Sequence, residues 1–453
     1  MSDLIDLAHS MLERAGDDES AEVCVGRSVR TTVRVHSGDV ESLTLAESHG
    51  IGVRVVLDGP EGSREGLSHA GSFDDDVVDG LLAEARDNAQ FAEPDPHVAL
   101  AQPDGVPITG TDPWSDAVEA MSVDDKIAIA VAVEAAALSA DDRVRGARTS
   151  VYGDSRSESA IVSTAGVETF GRSTSASTST MVLIDDVDGG TRTGSAVDAA
   201  LSPWALDPQM VAEKAVQRGL QLLDARQPTT ARPLVVFEPR FAATVLGLVA
   251  GMLAGDRVVK GRTPFADRVG QQVAASLLTM FDDPTDAESL GASATDGEGL
   301  ACRRVPLISG GTLDGFLHDS HSARVAEAAS TGSALRSVRG TPSPGHRALQ
   351  VAPGSGDLAS FIAEIEDGLL VAGLQGLHSG VNAVSGDLSV GVEGVRIRNG
   401  ELAEPIREAT LAGAIPRMLH DITRVGADLE RLPSGSHIPS IVIGGLTLGG
   451  AGS

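Results

Sequence analysis

LVVFEPRFAATVLGLVAGMLAGD, residues 234–256, reads as a short buried strand, a proline-marked turn and a helix without a charge between Arg240 and Asp256. Pro239 suits the first helical turn, where a missing N–H costs nothing. From Phe241 to Gly255 only Thr244 is conventionally polar, so the helix is apolar on every face and belongs inside a core. At about 15 residues it is short for a membrane span, which needs roughly 20. Gly247, Gly251 and Gly255 recur every fourth residue and leave one face bare enough for another backbone to approach. The stretch predicts a central packing helix that offers no catalytic group of its own.

Downstream of it the text is rich in strands. SGGT at 309–312 joins VPLIS to LDGFL, and Asn399-Gly400 joins GVRIR to ELAEPI, the strongest short hairpin signal in the chain. SFIAEIEDGLLVAGLQ reads as helix then strand, Thr410 to Arg424 as a helix, and IPSIVIGGLTLGG as a last buried strand. Upstream, Ser2 is placed to cap a helix ended by Gly16, followed by four strand-like runs with a hairpin at Gly38-Asp39. A helix is predicted from about Asp74 to Phe91. Prolines 94, 96, 103, 107 and 113 mark a linker, a helix covers Val123–Ala140, strands fill Arg143–Asp185, and a helix runs from Asp207 to Ala225. The expected units are therefore 1–93, a linker over 94–113, a middle unit over 114–227 and a large β-rich unit over 228–453. The fold class is α+β: a small antiparallel sheet with helices, a middle α/β region, and a strand-dominated C-terminal domain with interspersed helices.

Composition excludes several functions. A net charge of −29, with Lys and Arg together at 35 and aromatics at 3%, supplies neither the basic stripe nor the stacking platform that nucleic acid needs. Anionic membrane surfaces are excluded on the same ground. Cys24 and Cys302 form no C-x-x-C and no disulfide framework, which points to a reducing compartment. The start MSDLIDLAHSMLERAG has no basic n-region and no long apolar run, so the reading is cytoplasmic, not secreted.

The order of VHSGDVESLTLAESHGIGVRVVLDGPEG, LVVFEP with its apolar helix, KGRTPFADRVGQQVAASLLTMFDDP, TDGEGLACRRVPLISGGTLDGFLHDSHSAR, STGSALR, VSGDLSVGVEGVRIRNGELAEPI and GGLTLGG resembles the TldD/PmbA family over nearly the whole chain. The resemblance implies a heteromeric cytoplasmic peptidase acting on small or unfolded peptides. In the TldD branch the helix after the strand carries His-Glu-x-x-x-His, and a cysteine near the C-terminus completes a zinc site. Here the matching helix offers Gly247, Leu248, Gly251 and Met252, and the closing HIPSIVIGGLTLGG has no cysteine. Methionine sulfur is a poor ligand for Zn²⁺. The chain therefore resembles the PmbA/TldE branch, with no cofactor of its own, zinc in a TldD-type partner, and an extended peptide as the substrate of the pair.

No local nucleophile replaces the missing metal. No G-x-S-x-G elbow joins a strand to a helix, Ser389 sits in alternating strand text, and Cys302 reads as a buried inert thiol. His318 and His321 are the one local metal pair to weigh. At i and i+3 they are a weak cue, and a strand end followed by an Asp319 or Ser320 helix cap accounts for the same residues. The acidic run Asp282, Asp283, Asp286, Glu288, Asp296 and Glu298 lacks the spacing of a calcium loop and reads as a solvated loop. With no catalytic residue expected, the substrate groove is assigned to Gly247, Leu248, Gly251 and Met252 together with Asn382, Asp387 and Ser389, where an extended peptide would add to a strand edge. The alternative from another class is a stand-alone peptide- or protein-binding module without a peptidase partner.

Overall fold

The computed structural model describes residues 3–16, 19–187 and 189–450; the Ser2 cap lies outside them. In chain order it opens with α1 (Asp3–Leu12), β1 (Ser20–His36), β2 (Asp39–Leu57), β3 (Arg64–Ala70) and α2 (Asp75–Phe91). The next elements are α3 (Ala117–Ala120), α4 (Val123–Ser139), β4 (Val144–Ser163), β5 (Glu168–Asp185), β6 (Thr191–Ala200) and α5 (Pro208–Leu220). The remainder begins with β7 (Leu234–Phe237), α6 (Pro239–Met252), α7 (Gly255–Val259), β8 (Met280–Asp282), β9 (Val305–Ser309) and β10 (Thr312–Leu313). It continues through α8 (Ser320–Val325), β11 (Ala334–Leu335), β12 (Ser343–Pro344), β13 (Leu349–Val351), α9 (Leu358–Glu364), β14 (Asp367–Gln375) and α10 (Leu377–Gly380). It ends with β15 (Asp387–Arg398), β16 (Glu401–Ala414), α11 (Ile415–His420), β17 (Ile422–Val425), β18 (Glu430–Arg431), β19 (His437–Ile438), β20 (Ile441–Ile443) and β21 (Thr447–Gly449). The fold is α+β, as its composition of strands and interspersed helices requires.

The first two segments share one six-stranded sheet, ordered β3-β2-β1-β4-β5-β6, in which β1 and β4 pair from Glu22 opposite Ser163 to Val35 opposite Ser150. The four strand-like runs are thus two long strands, and the hairpin turns at Ser37-Gly38 (φ 56° and 82°), not at Gly38-Asp39. Helices cover the sheet where it is apolar. α2 sets Val78, Leu81, Leu82, Ala85 and Ala89 inward at helical spacing, and α4 buries Ala130, Val133 and Ala137 after a Ser122 cap. α5 ends at Leu220, short of the expected Ala225.

The C-terminal body is built on a seven-stranded sheet, ordered β17-β20-β7-β14-β15-β16-β21, with a second sheet ordered β10-β9-β8-β13-β19-β18. Asn399 (φ 50°) and Gly400 (φ 85°) close the predicted β15–β16 hairpin. The helix expected over Thr410–Arg424 shrinks to α11, Ile415–His420. β16 runs on to Ala414, pairing Thr410–Ala412 with β21, before the six-residue α11 and then β17. Apolar residues at 411, 415, 418, 419 and 422 do follow helical spacing, but β15 and β21 pair with β16 on either side of the first of them, and pairing outweighs propensity.

Two contacts lock this body to the six-stranded sheet. A Cβ on Gly52 would stand 2.1 Å from the carbonyl oxygen of Val338, so only glycine admits that loop onto the strand. Glu22 of β1, fully buried, forms ion pairs with Arg336 of the same loop and with Arg54 of β2 at 3.9 Å. Among the described residues no helix is long and apolar enough to cross a membrane.

Candidate functional site

Helix α6 is half what its composition predicts. Ala242, Val245, Leu246, Val249, Ala250 and Met252 pack into the main C-terminal core with Leu388, Val390 and Val392 of β15. The other side, with Ala243, Thr244, Gly247, Leu248 and Gly251, is only half-buried. No backbone approaches its glycines. A Cβ on Gly251 would meet nothing within 4 Å, and one on Gly247 only the Nε2 of His346 at 4.0 Å. At Gly247 and Gly251 the bare face is open space rather than a packing seam, which corrects the expectation of a helix enclosed on all sides; only at Gly255, past the end of α6, does another segment approach, the Gly255 amide donating to the Leu317 carbonyl at 2.7 Å.

The predicted groove residues do not come together. Gly247, Leu248 and Gly251 share the half-buried face of α6, whereas Met252 is 1% exposed and belongs to the core. Ser389 alternates with the buried Leu388 and Val390, so it points to the sheet face away from α6. Asn382 and Asp387 close a local turn: the Asn382 Oδ1 accepts from the Val384 amide at 2.9 Å, and Ser385 Oγ donates to the Asp387 carboxylate at 2.7 Å.

The histidine pair also separates. His318 is buried, its Nδ1 lies 3.1 Å from Ser322 Oγ, and burial pulls its pKa down. His321 turns to the linker, with Nε2 3.0 Å from Asp95 Oδ2. Asp319 caps α8 by accepting from the Ser322 amide at 2.8 Å, as one of the two sequence readings expects. Among the described residues no three His, Cys, Asp or Glu side chains cluster as a metal ion requires. The side chains on α6 do not fit Zn²⁺, because Leu and Gly offer no donor and Met252 is sealed into the core.

The acidic run is solvated only in part: Glu288 is exposed and Asp283 and Asp286 are half-buried, but the other three carboxylates are buried. Asp282, Asp296 and Glu298 are 0%, 3% and 2% exposed. Asp282 accepts from the amides of Arg347 and Ala348, and Asp296 from those of Glu298, Leu300 and Ala334. Burial raises Asp282 to about 6, and burial with the neighbouring Asp296 charge raises Glu298 to about 7. Glu298 holds α8 in place through the Ser320 amide at 2.8 Å. Cys24 and Cys302 are buried, and burial pushes both thiols up, Cys302 to about 12, so neither is a nucleophile.

A cavity of about 570 Å³ lies between the six-stranded sheet and the C-terminal body. Its walls include Arg172 and Ser159 from the sheet, and Arg336, His346 and Arg347 from the loop before β13. Sequence reasoning passed over these residues. Their one signal is the His-Arg pair following Pro344-Gly345, and nothing in spacing links it to Arg172.

The fold and the α6 helix define a class: an α+β architecture of a six-stranded sheet and a larger two-sheet body, whose strand–helix unit carries no His, Cys, Asp or Glu on its helix. Residues 21–89, 116–223 and 230–450 match the models for domain 1, the central domain and the C-terminal domain of PmbA/TldA metallopeptidases, and the chain belongs to the PmbA/TldD family. It is 27% identical to the metalloprotease PmbA of Escherichia coli O157:H7, across 92% of this chain and 89% of that one. A TldD homolog from Buchnera aphidicola subsp. Acyrthosiphon pisum is 29% identical over 44% of each chain. Among solved structures, TldE from Thermococcus kodakarensis superposes with a TM-score of 0.87 at 24% identity, covering 98% of this chain and 99% of that one. At that identity the likeness speaks for the fold.

Proposed function

We propose that this chain is the PmbA/TldE-type subunit of a metallopeptidase complex that cleaves small or unfolded peptides in the cytoplasm, with the zinc carried by a TldD-type partner. The observation that carries this reading is the face of α6. Gly247, Leu248 and Gly251 leave an open, half-buried surface without a His, Cys, Asp or Glu side chain, in a chain whose likeness to PmbA-named relatives runs nearly end to end. A helix whose inner half is core cannot be dispensed with, so the subunit keeps the framework and contributes a wall instead of a metal.

Zinc bound by the partner would supply Lewis-acid activation of a water. This chain's own residues act by packing and by shaping the space beside that site. The test is to purify the chain alone and with a zinc-bearing relative from the same genome, then measure metal content and peptide hydrolysis. The expected result is no stoichiometric zinc and no hydrolysis from the chain alone, with both appearing in the co-purified pair. Stoichiometric zinc and peptidase activity in the isolated chain overturn the reading, and so does failure to associate with any such relative.

A further inference from the structure

The cavity between the sheet and the C-terminal body is electrostatically unfinished. Two guanidinium groups reach it from opposite bodies without an ion pair among the described residues. Arg172, on β5, stacks over the Trp114 ring with 4.7 Å to its centroid. Arg347 donates from Nη2 to the Ala334 carbonyl at 3.2 Å, while its Nε is buried with no partner.

The acidic groups of the same walls are committed elsewhere. Glu158 pairs with Arg27 at 2.5 Å. The Asp112 carboxylate accepts from the Arg172 and Ala294 amides at 3.1 and 3.4 Å, and Asp296 is occupied by three backbone amides. Asp282 and Asp296 both lie near enough for the Arg347 charge to draw their pKa values down, yet both carboxylates are bound to backbone amides rather than to its guanidinium. The third guanidinium, Arg336, is matched by Glu22. The half-buried Arg347 and the exposed Arg172 are therefore left without an ion pair among the described residues, and at the half-buried one a charge-assisted partner is worth most.

The remaining lining sets the ligand's shape. Ser159, Ser173 and Thr295 have hydroxyls with no hydrogen bond among the described residues, ready for neutral polar atoms. The His346 ring, which burial keeps neutral, stands between the cavity and Gly247 of α6. The volume is in the range of sites for small organic ligands.

We propose that this cavity receives the C-terminal carboxylate of a short peptide, with Arg347 and Arg172 as the anion anchors and His346 and the free hydroxyls meeting its backbone amides. A guanidinium fork matches the two oxygens of a carboxylate, and anchoring the end of the peptide beside His346 directs the preceding residues towards the open face of α6. This rests on the peptidase-subunit reading for the choice of a peptide as ligand.

The test is calorimetric titration of the full chain with trialanine, with trialanine C-terminal amide, and with acetate. Trialanine is expected to bind about 10- to 100-fold more tightly than its amide, the range for a hydrogen-bonded charge contact. Arg347→Gln and Arg172→Gln are each expected to erase most of that difference while melting within a few degrees of the parent. Equal affinity for acid and amide overturns the proposal, without requiring any variant to fold. Retention of the preference in both variants overturns the assignment of the anchors, and acetate as tight as trialanine identifies a free-carboxylate site instead of a peptide terminus. The arms separate from the test of function: a zinc-bearing complex that hydrolyses peptides but shows no acid preference removes only this inference. An acid preference in a chain that joins no zinc-bearing partner removes only the peptidase-subunit reading.

Discussion

Glu22→Gln removes the fully buried anion that ties β1 of the six-stranded sheet to the Arg336 loop of the C-terminal body. Glu22 is 0% exposed, and its partners Arg336 and Arg54 have side chains 3% and 4% exposed. The amide keeps the shape and takes away the charge. Arg54 retains Glu65 at 2.8 Å, but Arg336 loses its only ion pair among the described residues. Breaking a buried pair from one side costs about 3–5 kcal/mol, because the charge left behind is desolvated and unmatched. For 453 residues melting as one unit, the unfolding entropy is about 1 kcal/mol/K, so the midpoint falls by about 3–5 °C. If the sheet layer of about 200 residues melts by itself, the same energy lowers its midpoint by about 7–12 °C. Calorimetry of Glu22→Gln, Arg336→Met and the double variant measures both quantities. The double variant is expected to be about 2 kcal/mol more stable than the sum of the singles predicts, since its second change removes a charge already stranded. A midpoint within 1 °C of the parent for Glu22→Gln, or strictly additive losses, would refute the claim that this pair clamps the two bodies.

Two further outcomes follow from other buried features. Glu298 is raised to about 7 by burial and by Asp296, so the folded chain holds a proton there that the unfolded chain releases near pH 4.5. That contribution is complete below pH 4.5 and is lost as pH rises through 7; thermal midpoints should fall between pH 5 and 8, and Glu298→Gln should flatten about 3 kcal/mol of that dependence. Gly251→Ala meets nothing within 4 Å, so in thermal melts it should stabilise the helix by about 0.5–1 kcal/mol; a loss of stability would show that the outer face of α6 is packed after all.

Much of the layout was legible because local rules and tertiary structure agree there. The predicted Asp74–Phe91 and Val123–Ala140 helices differ from α2 and α4 by one residue at an end, since each has an apolar stripe and a start signal. The Ser309–Thr312 and Asn399–Gly400 turns form as expected, because the latter pair and the two glycines of the former tolerate positive φ. Failures fall where pairing at a distance decides. The runs before and after Val29 join into one strand because β2 and β4 pair with it on both sides. The 410–424 segment has helical spacing, yet β15 and β21 hold its first residues extended. Acidic side chains at 282, 296 and 298 look solvated in a list of residues, since the amides that receive them come from positions as distant as 334 and 348. The cavity was illegible for the same reason: Arg172 and Arg347 are 175 positions apart and meet only through the contact of two bodies.

The two halves of α6 answer to different constraints. Val245, Leu246, Val249 and Met252 are each at most 2% exposed and interlock with the strands on which the C-terminal body rests. Truncating any one of the larger of these costs about 2–5 kcal/mol, whatever the outer face carries. The outer residues bear no such load, because Gly247 and Gly251 look onto open space. A scaffold of this kind can exchange its outward side chains without unfolding, and a helix with ligands and a helix without them can share one framework. The apolar text at 241–255 therefore reports the inner half of the helix, and its glycines report the face turned to the space beside His346.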